Sequence, residues 1–70
     1  MNQFTVFLQQ DGPWWIASCV EIPEANGQGA TRAEAVQSLK SAIEELFVWR
    51  REAAAQNASG VFFEEKLTLA

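Results

Sequence analysis

The feature that most constrains the fold of this chain is the stretch Gly27-Gln28-Gly29-Ala30-Thr31-Arg32-Ala33-Glu34. Thr31 is suited to cap a first helical turn, and Glu34, three residues on, is placed to bind back to the Thr31 amide as in a capping box. Glycine pairs before helices also occur in phosphate-binding loops, but Arg32 stands where a dinucleotide fingerprint has its third glycine, and no Walker lysine follows. We therefore interpret the glycines as allowing a positive-φ turn and a close approach of a strand, followed by a capped helix.

Residues 4–8 and 14–20 predict a β-hairpin, because both runs are short, rich in β-branched and aromatic types, and separated by turn-forming residues. Trp14 and Trp15 are adjacent on the second strand and therefore point to opposite faces. We expect one of them to enter the core and the other to lie on the outer sheet face, where it predicts a protein interface. The sequence leaves open which tryptophan does which.

The rest of the chain predicts one more strand, a long helix and a final strand. Pro23 ends the second strand or marks an edge, and residues 25–30 predict a brief edge strand with a bulge, because their two glycines weaken a regular strand. Residues 32–55 predict an amphipathic helix that ends at 57–60, with Asn or Gly as a left-handed cap. Residues 61–69 predict a strand in which Glu65 interrupts the apolar face. The helix has an apolar seam at Val36, Leu39, Ile43 and Leu46.

These elements predict a single α+β domain over residues 1–70, with the order β-β-β-α-β and one long helix packed on an antiparallel sheet. A domain of this size is marginally stable alone, and three Trp and five Phe are a heavy aromatic load for its core. We therefore expect a homodimer or a higher oligomer.

Composition excludes several kinds of site. The chain has no histidine and one cysteine, Cys19, so it offers neither an internal disulfide nor a Cys/His zinc site, and Cys19 is interpreted as a packing residue. The net charge of −4 disfavours direct nucleic-acid binding and favours a basic protein partner. No stretch is long and apolar enough to span a membrane, and the N-terminus lacks the features of a secretory leader, so we expect a cytoplasmic protein.

The carboxylates do not form a catalytic arrangement. Most of them predict exposed, solubilising charge, and no nucleophile–base pair accompanies them. We therefore predict that the chain is not an enzyme and binds no cofactor or metal. The alternative is an RNase-H-like metal site that uses Glu21 and Glu64.

The stretch between Asp11 and Ile43 contains a pattern of short motifs: Asp11-Gly12, Trp15 to Cys19, Glu21-Ile22-Pro23, Gly29-Ala30-Thr31, Glu34-Ala35, Leu39-Lys40 and Ala42-Ile43. In this pattern the stretch resembles the HicB antitoxin family, whose small domain has a truncated RNase-H-like fold of β-β-β-α-β order without the catalytic carboxylates. Two positions depart from the family's usual pattern: Val20 replaces its first proline, and Glu24 replaces the glycine after Pro23.

This resemblance implies inhibition by occlusion. HicB domains bind HicA, a small basic toxin that cleaves messenger RNA, and cover its catalytic histidine and its RNA surface. Many members carry a C-terminal DNA-binding segment, which we expect this chain to lack. The alternative is an orphan homo-oligomeric binding module of the same fold. From the residues themselves we expect the partner interface to include the outer sheet tryptophan (Trp14 or Trp15), Phe62 and the exposed side of the helix near Glu45, Trp49 and Glu52.

Overall fold

The computed structural model describes residues 3–69 as a three-stranded antiparallel sheet with one long helix on one of its faces. The strands lie in the order β1-β2-β3, and the helix α1 follows them along the chain. The α+β class, the antiparallel sheet and the long helix are confirmed, while Met1, Asn2 and Ala70 of the predicted domain lie outside the described residues. The elements are β1 (Val6–Asp11), β2 (Trp14–Cys19), β3 (Asn26–Gly29) and α1 (Arg32–Asn57).

The predicted hairpin is present, but its first strand is shifted along the chain. β1 begins at Val6 rather than at residue 4, and it continues to Asp11, which pairs with Trp14. The side-chain types of residues 9–11 favour a turn, whereas backbone pairing with β2 holds them in the strand. The turn itself is tight, and Gly12 adopts a φ of 60°, where glycine is favoured.

The two glycines of β3 bring this strand against the backbone of α1. A Cβ at Gly27 would lie 2.3 Å from the Leu39 nitrogen and 2.4 Å from the Ala35 carbonyl oxygen, and Gly29 is equally close to the first turn of the helix. The predicted close approach is therefore confirmed, with the helix as the neighbour. The predicted positive-φ turn at this pair is wrong, since neither glycine has a positive φ.

The predicted capping box is present at the start of α1. The Glu34 N–H donates to Thr31 Oγ1 at 3.1 Å, and the Thr31 N–H donates to Glu34 Oε1 at 3.1 Å. The Ala30 N–H also donates to Glu34 Oε1, at 3.0 Å. These bonds partner backbone donors that the helix itself leaves unpaired, so Glu34 has a structural role.

The end of α1 differs from the prediction. The helix continues to Asn57, and its C-cap is Ala58, an extended residue whose N–H donates to the Ala54 oxygen at 3.1 Å. The predicted left-handed cap is wrong, because this bond closes the last turn and the chain leaves the helix without reversing. Gly60 does have a positive φ of 75°, but it lies beyond the cap.

The core lies between the inner sheet face and the first half of α1. After Ile43 no helix residue is fully buried; Leu46 still packs against the edge of the core, and the helix beyond it projects past the sheet. The radius of gyration, 15.3 Å, is well above the value of about 11 Å for a compact chain of this length. Val36, predicted on the seam, is exposed because the narrow sheet does not cover that side of the helix. The buried residues are Ala17, Cys19, Ile22, Ala25, Ala35, Leu39 and Ile43, flanked by Val6, Trp15, Ala42 and Leu46.

The final strand predicted for residues 61–69 is not formed. These residues have an irregular conformation and are exposed. About 21 Å of helix separates Ile43, the last buried residue, from Asn57 at 1.5 Å per residue, and the residues after α1 pack along this part of the helix instead of the sheet. The chain therefore leaves α1 away from both edges of the sheet, and Glu64 pairs with Arg51 of the helix instead, at 3.0 Å.

Candidate interaction surfaces

The projecting half of α1 carries an acidic surface with an apolar centre. Helical spacing places residues 45, 48, 49 and 52 on one side of the helix, where they border a shallow groove of about 330 Å³. Trp49 at its centre is 68% exposed. We call this surface the helix patch; it comprises Glu44, Glu45, Val48, Trp49 and Glu52.

The three carboxylates of the helix patch have no salt-bridge partner within residues 3–69. The neighbouring arginines are engaged elsewhere, since Arg50 pairs with Glu24 and Arg51 pairs with Glu64. The patch therefore presents uncompensated negative charge around an exposed tryptophan. Three of the predicted interface residues, Glu45, Trp49 and Glu52, are brought together here.

A second groove adjoins the helix patch, between α1 and the loop before β3. It has a volume of about 430 Å³, and Glu45 and Trp49 border both grooves. Ala25 and Leu46 supply apolar surface on its walls. The exposed apolar area around Trp49 therefore extends from the projecting helix towards the core.

The outer face of the sheet is the second uncovered apolar surface. Alternation along β1 and β2 places Phe7, Trp14 and Ile16 on this face, and no described element packs on it. Phe7 is 65% exposed and Trp14 is 49% exposed. Val20, also exposed, continues the surface at the end of β2. We call these four residues the sheet patch.

The structure decides which tryptophan faces the core. Trp15 packs against the buried cluster, and the Arg32 guanidinium carbon lies 5.5 Å from the centroid of its ring. Trp14 is therefore the outer tryptophan. Phe62 lies apart from both patches in a groove lined by the second half of α1 and the residues that follow it.

Sequence reasoning missed Phe7 and Val20 as surface residues. The sequence contained a usable indication for Phe7, since its position relative to Trp14 follows from the hairpin register. That register depends on the extension of β1 to Asp11, which the side-chain types did not indicate.

Glu21 joins the start of the described chain to the end of β2. The Thr5 N–H donates to Glu21 Oε1 at 2.7 Å, the Thr5 hydroxyl donates to Oε2 at 2.8 Å, and the Cys19 thiol lies 3.6 Å from Oε1. The Thr5 backbone bond, followed by the Thr5 side-chain bond, lowers the pKa of the Glu21 carboxyl below its ordinary value of 4.5. Glu21 and Thr5 thus join the start of β1 to the end of β2, and we call this hydrogen-bonded pair the clamp.

Acid is expected to weaken this clamp. Because the folded-state pKa of Glu21 is lowered, its contribution to stability is complete above about pH 4.5 and is lost as the pH falls through the folded pKa. We expect Glu21→Gln to melt at a lower temperature at pH 7 and to lose less of its melting temperature between pH 5 and pH 3 than the parent chain. Circular dichroism melts across this range measure both effects.

Thr5→Val and Thr68→Val form a matched pair of controls for the clamp. Thr5→Val removes one donor to Glu21 and should act in the same direction as Glu21→Gln, whereas Thr68 lies outside the clamp and its replacement should change nothing. A Glu21→Gln variant with the acid profile of the parent would show that the clamp does not stabilise the fold.

The two carboxylates considered for a metal site are both engaged by protein donors. Glu64 accepts from Arg51, which lowers the pKa of its carboxyl. Within residues 3–69, no three Asp, Glu, Cys or His side chains are grouped to hold a metal ion. In the same part of the chain, no helix has the length and apolar character needed to cross a membrane.

Comparison with known proteins gives one informative relative. The chain is 66% identical over 35 residues to the UPF0150 protein ssl0738 of Synechocystis sp.. The matched stretch is 50% of this chain and 47% of the relative, so the chain matches about half the length of that protein. Over this stretch the chain is a homologue of a UPF0150 protein. No family model matches the sequence, and no solved structure matches it.

Proposed function

We propose that this chain is a HicB-like antitoxin domain that neutralises a HicA-type, mRNA-cleaving toxin by protein–protein occlusion. UPF0150 is a HicB-related family of small proteins, which supports the resemblance carried by residues 11–43. The observation that carries the proposal is the helix patch, where Glu44, Glu45 and Glu52 surround an exposed Trp49 without ion-pair partners in the described chain.

The chemistry of the helix patch suits a toxin that acts on RNA. A protein that binds the phosphate backbone of RNA does so with clustered Lys and Arg side chains. Such a basic surface attracts an acidic protein surface. The carboxylates would speed the encounter and orient the partner, while Trp49 and Val48 would supply the desolvated centre that holds it. Bound there, the chain blocks access of RNA to the toxin in the cytoplasm. This inhibition requires no enzymatic activity, cofactor or metal in the antitoxin.

Co-expression with the product of the neighbouring reading frame tests the proposal. We expect the chain to restore growth and to co-purify with that protein. The double variant Glu45→Lys/Glu52→Lys and the variant Trp49→Ala should each weaken binding about 30-fold or more, as replacement of an interface hot spot does.

Asp11→Lys is the matched control for charge reversal, because Asp11 is an exposed carboxylate at the hairpin turn, outside the helix patch. It should bind as the parent chain does. The antitoxin proposal fails if no small basic toxin is encoded beside the gene and no HicA-type protein binds, or if the helix-patch variants bind normally.

A second candidate function is a homo-oligomeric binding module without a toxin partner. The uncovered sheet patch and the large radius of gyration favour it, since both indicate surface that is better buried against another chain. Light scattering tests this candidate, and a monomer at micromolar concentration would contradict it.

A further inference from the structure

The chain after the helix has the side-chain pattern of a strand but no strand partner. We call residues 61–68 the tail segment. Val61, Phe63 and Leu67 alternate onto one face and are 88%, 83% and 88% exposed. In the described structure the tail segment takes part in no β-ladder. Exposed apolar side chains in this number indicate a surface that another chain covers.

β1 offers the complementary surface, because it is an open edge of the sheet. Alternate residues of an edge strand direct their N–H and C=O groups away from the sheet, where they are free to pair with a further strand. Natural edges are commonly blocked by Lys, Pro or a short length, but β1 has six residues, no Lys and no Pro. The other edge, β3, has four residues, two of them glycine, and is the poorer template.

The tail segment does not reach β1 of its own chain in strand register. The Arg51–Glu64 pair holds residue 64 beside residue 51, about 12 Å along the helix axis from Ile43, where the covered part of α1 ends. The tail segment also lines a groove with the second half of α1, so in this structure it lies along the helix and not beside β1.

We infer that the tail segment of one chain adds as a fourth strand to the β1 edge of a second copy, and that the exchange is reciprocal. Each copy then contributes one tail segment and uses one β1 edge, so the dimer closes and leaves neither strand unpaired. The inference rests on the self-association candidate and not on toxin binding. In such a dimer, the strand that the sequence predicts after α1 pairs with β1 of the second copy, whereas it has no strand partner within one chain.

Proline at position 63 tests the exchange in the full-length chain. Proline removes a backbone donor and is excluded from paired strand interiors, and Phe63 is exposed in the single chain, so its replacement leaves the fold of each copy unchanged. By light scattering we expect the parent chain to have twice its mass of 7.8 kDa, and Phe63→Pro to dissociate at least tenfold more readily. Phe63→Ile, which retains strand preference, should remain a dimer, and circular dichroism should show the same helix content in all three.

Hydrogen exchange identifies the edge that is used. The amides of Val6–Asp11 that point away from β2 should be protected in the parent dimer and should exchange faster in Phe63→Pro, while Trp14–Cys19 amides paired inside the sheet change little. A monomeric parent chain, a Phe63→Pro variant that remains fully dimeric, or β1 amides equally protected in both proteins would each overturn the inference. Toxin binding measured on Phe63→Pro distinguishes this inference from the antitoxin proposal. The antitoxin proposal predicts that toxin binding is lost in helix-patch variants and retained in Phe63→Pro.

Discussion

Replacing Gly27 by alanine is expected to destabilise the fold by about 3 kcal/mol, the upper end of the usual cost of overpacking, because the contact is with rigid backbone. The added Cβ would lie 2.3 Å from the Leu39 nitrogen and 2.4 Å from the Ala35 oxygen, which are both backbone atoms of α1. Because no side-chain rotation relieves such a contact, β3 and the helix must separate. Alanine usually stabilises a strand relative to glycine, so strand propensity alone predicts a gain in stability. The change expected here is a loss, because the steric contact outweighs that gain.

Urea denaturation followed by circular dichroism measures this change. Gln28→Ala is the matched control, because Gln28 is the exposed residue between the two glycines and its side chain points away from the helix. We expect Gln28→Ala to unfold near the urea midpoint of the parent chain, and Gly27→Ala to lose more than half of that midpoint if the parent stability is near 5 kcal/mol. Equal midpoints for the two variants would refute the close approach of β3 to α1.

Truncation of Leu39 is expected to have the second largest effect on stability. Leu39 is the largest fully buried side chain among the described residues. Leu39→Ala removes apolar contact and leaves a cavity that the surrounding core fills only in part, which costs about 3 kcal/mol. The same urea titration measures the change, with an expected loss of more than half of the parent stability.

Val36→Ala is the control for this core prediction. Val36 lies on the same helix, three residues earlier, but its side chain is exposed. Its replacement should cost less than about 1 kcal/mol, because little apolar area is lost and alanine has the higher helix propensity. A comparable loss in both variants would show that the core extends around the helix beyond the buried cluster.

Interactions between residues close in sequence were predictable for this chain. The capping box depends on Thr31 and Glu34 alone, so the start of α1 followed from the sequence. The hairpin followed from two strand-like runs and a turn with Gly12. The cluster of Glu45, Trp49 and Glu52 also followed from the sequence, because positions four and seven apart share one side of any helix.

Features that depend on distant partners were not predictable. The alternating pattern of residues 61–69 indicates a strand, but a strand also requires a paired edge, and in this structure these residues lie against α1 instead. The orientation of Trp14 and Trp15 depended on which sheet face the helix covers. The left-handed helix cap failed because Ala58 closes the last turn by a local hydrogen bond, which leaves Asn57 within the helix.

Because the sheet covers one half of α1 and the other half projects, we expect the free energy of local opening to differ between the two halves of this helix. Amides near Ala35 and Leu39 exchange only when the core itself opens, because these side chains are buried under the sheet. Amides near Trp49 and Glu52 lie in the exposed half of the helix, so we expect them to exchange by local fraying from its C-terminal end. A partner that binds the projecting half, which is about four helical turns long, gains contacts but also reduces the conformational entropy of this part of the helix. Its affinity therefore depends on the helix propensity of this half as well as on the patch itself.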